Sequence, residues 1–448
     1  MRRVLLIGLT VTVPLLVAYG SPLRDPINTP KVALLIAGVT VIAAIRGAEL
    51  VLGASTSGLG RLATPALCFA IPLFLAWLAS SDRAYSLSGA DYGRYQGLIP
   101  YLLAIALGVL VADAFADRAH QIAWALGAAG SVVAAYALVQ FFGADVFPNG
   151  PGWSGSGLAI STLGNENFTG GFLAICLAAN APLATGSGRS RRIAAVMCYI
   201  IAIGLGRSYS QGAWVAAIDG VAIAMGFALA HRWSWTKLAG TIVAIGMVVV
   251  SLGTVLLARA GVDLEVLATA RSRGLTWETT MRAARDKPLL GHGLNMFGFV
   301  QPDYRSEEAL ASQTRSRQVP DDPHSVMLAM LVNGGLLTLL GFVAVLVWFM
   351  THATRVPPGN LTGAAFIGAV TAYLIQSLVS IDEVTLRVAF WICLGGLAAF
   401  LSRGDAPEGR GVATGAGILR TGVAGGLILV AGVMSVWWAV HFLDIHRG

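Results

Sequence analysis

Residues 325–350 read SVMLAMLVNGGLLTLLGFVAVLVWFM, a run without a charged side chain. A helix needs about 20 predominantly apolar residues to cross the hydrocarbon core of a bilayer, and this run exceeds that length. Comparable apolar blocks precede it near residues 4–20, 32–52, 62–80, 98–114, 121–142, 158–183, 193–206, 212–230 and 238–257. Others follow near residues 361–379, 388–401 and 417–440. Short polar connections separate most of them, so the pattern predicts an all-α polytopic membrane protein with about 12–13 transmembrane helices.

Composition agrees with that reading. Of 448 residues, 56% are hydrophobic and 12% charged, and the mean hydropathy is +0.72; soluble domains are about one quarter charged. The 54 glycines would weaken soluble helices, but small residues are common in membrane helices because they let backbones approach. Cys68, Cys176, Cys198 and Cys393 lie inside apolar blocks without metal-binding or redox spacing and read as small core residues. Met1-Arg2-Arg3 before an apolar run resembles a signal sequence, yet residues 4–19 show no small-x-small cleavage site, so the expectation is a retained first helix. The net charge of +7 is spread over short loops and not gathered into a stripe with aromatics, which argues against a nucleic-acid partner.

Lys and Arg in short loops resist translocation and mark the cytoplasmic side. With the N-terminus inside, the inner loops hold fourteen such residues, among them Arg189, Arg191 and Arg192, against seven in the short outer connections. This orientation puts the long connection at residues 258–323 on the external or periplasmic side. This divides the chain into N-terminal helices (1–157), central helices (158–257), the loop (258–323) and C-terminal helices (324–448).

The loop carries nine basic and nine acidic residues, but they are not mixed. Arg271, Arg273, Arg282, Arg285 and Lys287 crowd its first half, whereas acids dominate residues 303–322. Residues 275–287 have the period of a short amphipathic helix, with Trp277, Met281 and Ala284 on one face and Glu278, Arg282 and Arg285 on another. Pro288 ends it. Trp on one side and Arg on the other suit the bilayer interface and membrane lipids. The cations suit a diphosphate, since guanidinium forks match phosphate oxygens, although composition alone favours a solvated, ion-paired helix.

Two further stretches invite paired readings. Pro288-Leu289-Leu290-Gly291-His292-Gly293 is a weak phosphate loop or a turn returning the chain to the membrane surface. Asp321-Asp322-Pro323-His324-Ser325 puts an imidazole and two carboxylates at a helix mouth, for catalysis or for capping. Asn165 and Asn167, at the outer end of an apolar helix, would contact a sugar or phosphate or bond a neighbouring helix.

The order Arg273-x-x-x-Trp277, Asp286-x-Pro288-Leu-Leu-Gly291-x-Gly293-x-x-x-Phe297, Pro323-His324 and Gly334-Gly335 resembles the core of the O-antigen ligase and polymerase superfamily. Similar too are Thr162-Leu163-Gly164-Asn165-Glu166-Asn167-Phe168, Ser208-Tyr209-Ser210-Gln211-Gly212-Ala213-Trp214, and Gln376-Ser377-Leu378 before Asp382. The resemblance covers about residues 162–400. It implies a GT-C-like multi-helix fold and an inverting glycosyltransferase needing no metal or cofactor. Such an enzyme moves a glycan from undecaprenyl diphosphate to a lipid or glycan acceptor outside the cytoplasm. On the matching positions, Arg273 would bind the diphosphate, and His324 would activate the acceptor hydroxyl or assist the departing phosphate. Arg282, Arg285, His292, Asn165 and Asn167 join the candidate substrate-binding residues. Where the family often has Ser-Arg-Gly this chain has Ser210-Gln211-Gly212, leaving Gln211 or nearby Arg207 in that place. The competing expectation is a transporter or channel for a small polar or anionic solute, which would need a midplane pocket.

Overall fold

The computed structural model describes residues 1–19, 21–90, 94–144, 160–229, 265–317 and 319–402, with no side-chain description at 57, 265–270 and 316. The expected spans at 238–257 and 417–440 lie outside the described residues. Helices α1 (Arg2–Thr12), α2 (Thr29–Val51), α3 (Ser57–Leu78), α4 (Arg83–Ser88), α5 (Leu98–Ala114), α6 (His120–Phe141), α7 (Glu166–Asn180), α8 (Gly188–Arg207) and α9 (Gln211–Leu229) precede the loop. The loop itself folds as α10 (Glu265–Asp286), α11 (Phe297–Tyr304) and α12 (Glu307–Ser316). Beyond it come α13 (Val326–Ala353), α14 (Leu361–Ser377) and α15 (Val384–Leu401).

By length and composition, seven of the described helices are able to cross a membrane, and α5 and α14 are shorter apolar helices. The protein is therefore an all-helical polytopic membrane protein. Its core is built from close backbone approaches: α14 packs against α9, α15 against α5, and α13 against α3. A Cβ on Gly220 would meet Ala372 and the Gly368 carbonyl, and one on Gly395 would collide with the Gly108 carbonyl. Lipid tails are as apolar as Leu, so such tight contact between small residues, not hydrophobic exclusion, holds membrane helices together.

Two boundaries differ from expectation. The first helix ends at Thr12 and does not continue to residue 20, because Pro14 follows its cap and offers no backbone N–H to extend the ladder. The loop helix starts at Glu265, ten residues before the expected start at 275. Gly274 is exposed and interior, a position that costs about 1 kcal/mol relative to Ala without breaking a helix.

The bundle has two chemically distinct ends. At one, Arg2 reaches Asp113 at 2.5 Å and Glu49 at 2.7 Å, Arg46 donates to Asp113 at 2.9 Å, and Arg3 pairs with Asp117 at 2.5 Å. The other end gathers the starts of α2, α5, α7, α9, α13 and α15 together with the loop helices.

Candidate active site

The loop is locked to the bundle through a break in α13. Gly335 has φ 69° and ψ −175°, so the helix is interrupted there. The segment after α10 fills the gap: Leu336 and Leu337 donate their N–H groups to the carbonyls of Pro288 and Leu289 at 2.7 and 3.2 Å, while His292 and Gly293 donate to those of Val332 and Asn333 at 3.0 and 2.9 Å. Backbone groups freed inside a membrane need internal partners, and the Pro288–Gly293 turn supplies them. A Cβ on Gly335 would strike the Leu289 carbonyl, and one on Gly291 the Asn333 backbone. The Asn333 side chain caps the same junction by accepting from Phe297 N–H at 2.9 Å. This stretch is a plug for a broken helix, the turn alternative of the two sequence readings.

Anchored in this way, α10 packs against α13. Trp277 donates its indole N–H to the Pro323 carbonyl at 2.9 Å. Arg273, one turn earlier, shares that face and comes close enough to His324 for its charge to depress the imidazole's basicity. The two residues matched to the family's diphosphate and acid–base roles thus converge at one end of the bundle.

His324 sits in the left-handed backbone region, φ 55°, with its N–H donated to Asp322 Oδ1 at 2.7 Å. Burial first, then the charges of Arg273 and Arg94, hold the imidazole below its usual 6.5, with Asp321 opposing. Burial also lowers the Arg273 guanidinium from its usual value. The Asp322 carboxyl is pushed up to about 6 by burial, against the Gln96 hydrogen bond, the Arg94 charge and the His324 N–H.

Residues near 94–96 complete the site, and sequence reading did not single them out. Arg94 pairs with Asp321 at 3.0 Å and lies 5.5 Å from the centre of the Phe168 ring. Gln96 donates to Asp322 Oδ2 at 3.0 Å and to the Asp382 carbonyl at 3.3 Å. Asp382 in turn accepts from Tyr101 and Tyr373 hydroxyls at 3.0 and 2.9 Å and from Arg387 Nε at 2.8 Å. Arg387, 1% exposed, also donates to the Tyr95 carbonyl at 2.8 Å. In sequence Arg94, Asp382 and Arg387 stand in the short connections ahead of the blocks at 98–114 and 388–401, where nothing local marks a partner. Beside this network Lys31, fully buried, donates to Asn28 and to the Thr162 carbonyl at 3.2 and 3.0 Å.

The other candidates spread outward. Asn165 caps α7 through its side chain, and Asn167 Oδ1 accepts from Ser210 Oγ at 2.8 Å, tying α7 to the turn before α9. Gln211 opens α9 and is exposed, and the Arg207 guanidinium stacks 4.1 Å from the Phe141 ring centre. Arg282 is exposed and pairs with Glu278 at 2.5 Å; Arg285 is exposed. His292 is buried, its Nε2 2.9 Å from the Ala283 carbonyl, so its ring fastens the turn to α10. Among the described residues, no three His, Cys, Asp or Glu side chains gather as a metal ion would require.

An all-helical membrane protein with an arginine and a histidine near each other at one end of its bundle is the class that fold and site define. Residues 194–343 match the family model described as O-Antigen ligase, a segment holding the Ser208–Trp214 stretch, Arg273, the Pro288–Gly293 turn, His324 and the Gly335 break. The match supports the resemblance of this segment to the O-antigen ligase and polymerase superfamily, and a membrane enzyme of that kind. No curated protein matches the chain.

Proposed function

We propose that the protein transfers a glycan from undecaprenyl diphosphate to a lipid or glycan acceptor, at the outer face of a bacterial inner membrane, without a metal ion. The observation that carries this reading is the convergence of Arg273 and His324 beside an ion pair, Arg94–Asp321. The orientation follows from the opposite end, where Arg2, Arg3 and Arg46 gather; Lys and Arg in short connections favour the cytoplasm. The site end then faces outward, where Trp277, Arg282 and Arg285 border the headgroup region.

In the proposed chemistry the Arg273 guanidinium binds the donor diphosphate and offsets the charge that builds on it as its bond to the sugar breaks. His324, held neutral by burial and by two nearby cations, takes the proton from the acceptor hydroxyl. The acceptor oxygen attacks the anomeric carbon from the face opposite the departing diphosphate, so the configuration inverts. The proton ends on the imidazole, the electron pair of the broken C–O bond on the diphosphate. Asn165, Asn167, Gln211 and Arg207 are proposed to contact the glycan or phosphate from the α7–α9 side, Arg282 and Arg285 from the loop side.

Transfer by purified protein, with a lipid-diphosphate glycan donor and a panel of acceptors, tests the assignment. Arg273→Ala and His324→Ala are each expected to abolish product while protein yield is kept. Full activity in both variants would falsify it.

A further inference from the structure

The left-handed backbone of His324 is a conformation that a β-carbon disfavours, and a residue stays in it only where its surroundings hold it. Two neighbours do so. Pro323, immediately before it, is fixed through its carbonyl by the Trp277 indole at 2.9 Å. Asp322 accepts the His324 N–H on Oδ1 at 2.7 Å, closing a side-chain-to-backbone turn of the kind Asp and Asn form two residues ahead of a donor. Asp322 is itself 2% exposed, and its second oxygen is taken by Gln96 at 3.0 Å. Gln96 rests on the Asp382 carbonyl at 3.3 Å, within the network of Tyr101, Tyr373 and Arg387. The charges that bear on the imidazole are those of Arg273, Asp321 and Arg94. Asp322 therefore acts on His324 through the peptide.

We propose that Asp322 is a positioning residue: its carboxylate, anchored by Gln96 to the bundle core, holds the His324 peptide in the left-handed turn that keeps the imidazole beside Arg273. The consequence for turnover rests on the transferase reading; the consequence for the imidazole's position does not. Asn keeps one acceptor oxygen, enough for the His324 N–H in such a local turn, while its NH2 replaces the oxygen that accepts from Gln96, whose amide must turn to meet it. Ala offers none. A reacting group displaced by about 1 Å loses roughly 10²-fold in rate.

The test compares Asp322→Ala and Asp322→Asn with the full-length wild type in two measurements. One is transfer kinetics. The other is the rate at which diethyl pyrocarbonate acylates His324, read by mass spectrometry of its peptide, which needs no turnover. The expected result is that Asp322→Ala loses roughly 10²-fold in kcat with KM little changed and acylates at an altered rate, and that Asp322→Asn restores both. If Asp322→Asn acylates like wild type yet is as defective in turnover as Asp322→Ala, the carboxylate's charge or proton is needed for chemistry and the positioning role is wrong; if Asp322→Ala matches wild type in both measurements, it is wrong as well. Gln96→Ala leaves the carboxylate in place but unanchored and carries the same test where Asp322→Ala does not accumulate: an altered acylation rate supports the proposal, an unaltered one overturns it. A wild type that transfers nothing, with acylation altered in Asp322→Ala and restored in Asp322→Asn, would retain the positioning role and remove the transferase.

Discussion

At one end of the bundle Arg2 and Arg46 close on Asp113 at 2.5 and 2.9 Å, and each cation has its carboxylate. At the other end Arg273 and His324 lie near each other, and among the described residues neither side chain has an ion pair or a hydrogen bond. In the first arrangement the cations are neutralised by carboxylates of the bundle itself. The second keeps a guanidinium fork and a neutral imidazole open in a partly dry place, where an arriving anion meets little competing solvent. Charge with a complete set of partners is architecture, and charge held without them is available for chemistry.

Four outcomes would break or sharpen that contrast. The largest is a crossing of effects. His324→Ala should lower turnover by about 10²–10⁴-fold with the melting temperature kept. Asp113→Ala removes the buried carboxylate that Arg2 and Arg46 share, leaving them Glu49, and should cost about 1–3 kcal/mol of stability, with turnover per folded molecule kept. Thermal denaturation alongside transfer assays reads both, and loss of activity without destabilisation in Asp113→Ala would dissolve the distinction between the ends.

Gly335→Ala tests the junction that ties the loop to the bundle. Its Cβ would meet the Leu289 carbonyl at a positive φ, so a loss of at least about 1–3 kcal/mol is expected in denaturation. Unchanged stability would mean that the plug is not needed to hold α10.

The pH profile gives a smaller signal. Activity requires neutral His324, whose pKa is lowered from 6.5, so the acid limb should lie below pH 6.5, with loss as pH falls and the ring takes a proton. Arg94→Gln removes a cation that lowers this value and frees Asp321, which raises it. Both changes move the limb upward. A downward shift would contradict the placement of Arg94 beside the imidazole. Smallest of all, Arg282→Ala and Arg285→Ala should raise KM a few-fold with kcat little changed, because exposed ion pairs and headgroup contacts contribute only about 0.2–1 kcal/mol each.

Much of the fold was open to reading because a bilayer admits few solutions. The run at 325–350 had to be a helix, since no other local structure satisfies its backbone in lipid. That Arg273 and His324 come near each other was expected from the ordered motifs around them. The role of His292 was not, because a buried histidine bonded to the Ala283 carbonyl and one free to bind a substrate look the same in sequence. Arg94 and Gln96 were missed for a different reason. Their partners Asp321 and Asp322 lie 227 and 226 positions away, and no local period encodes such a pairing. The break at Gly335 was visible only as Asn333-Gly334-Gly335; the Pro288–Gly293 turn that fills it lies far upstream.

Apolar length, glycine content and the distribution of Lys and Arg settled, without coordinates, that this chain is a many-helix membrane protein with a polar loop, because the cost of an unpaired backbone or a charge in hydrocarbon acts on every residue separately. Which charges are paired and which stand open was decided by tertiary structure alone. Pairing depends on which helix ends meet at one face of the bundle, and that is set by close packing among helices distant in the chain.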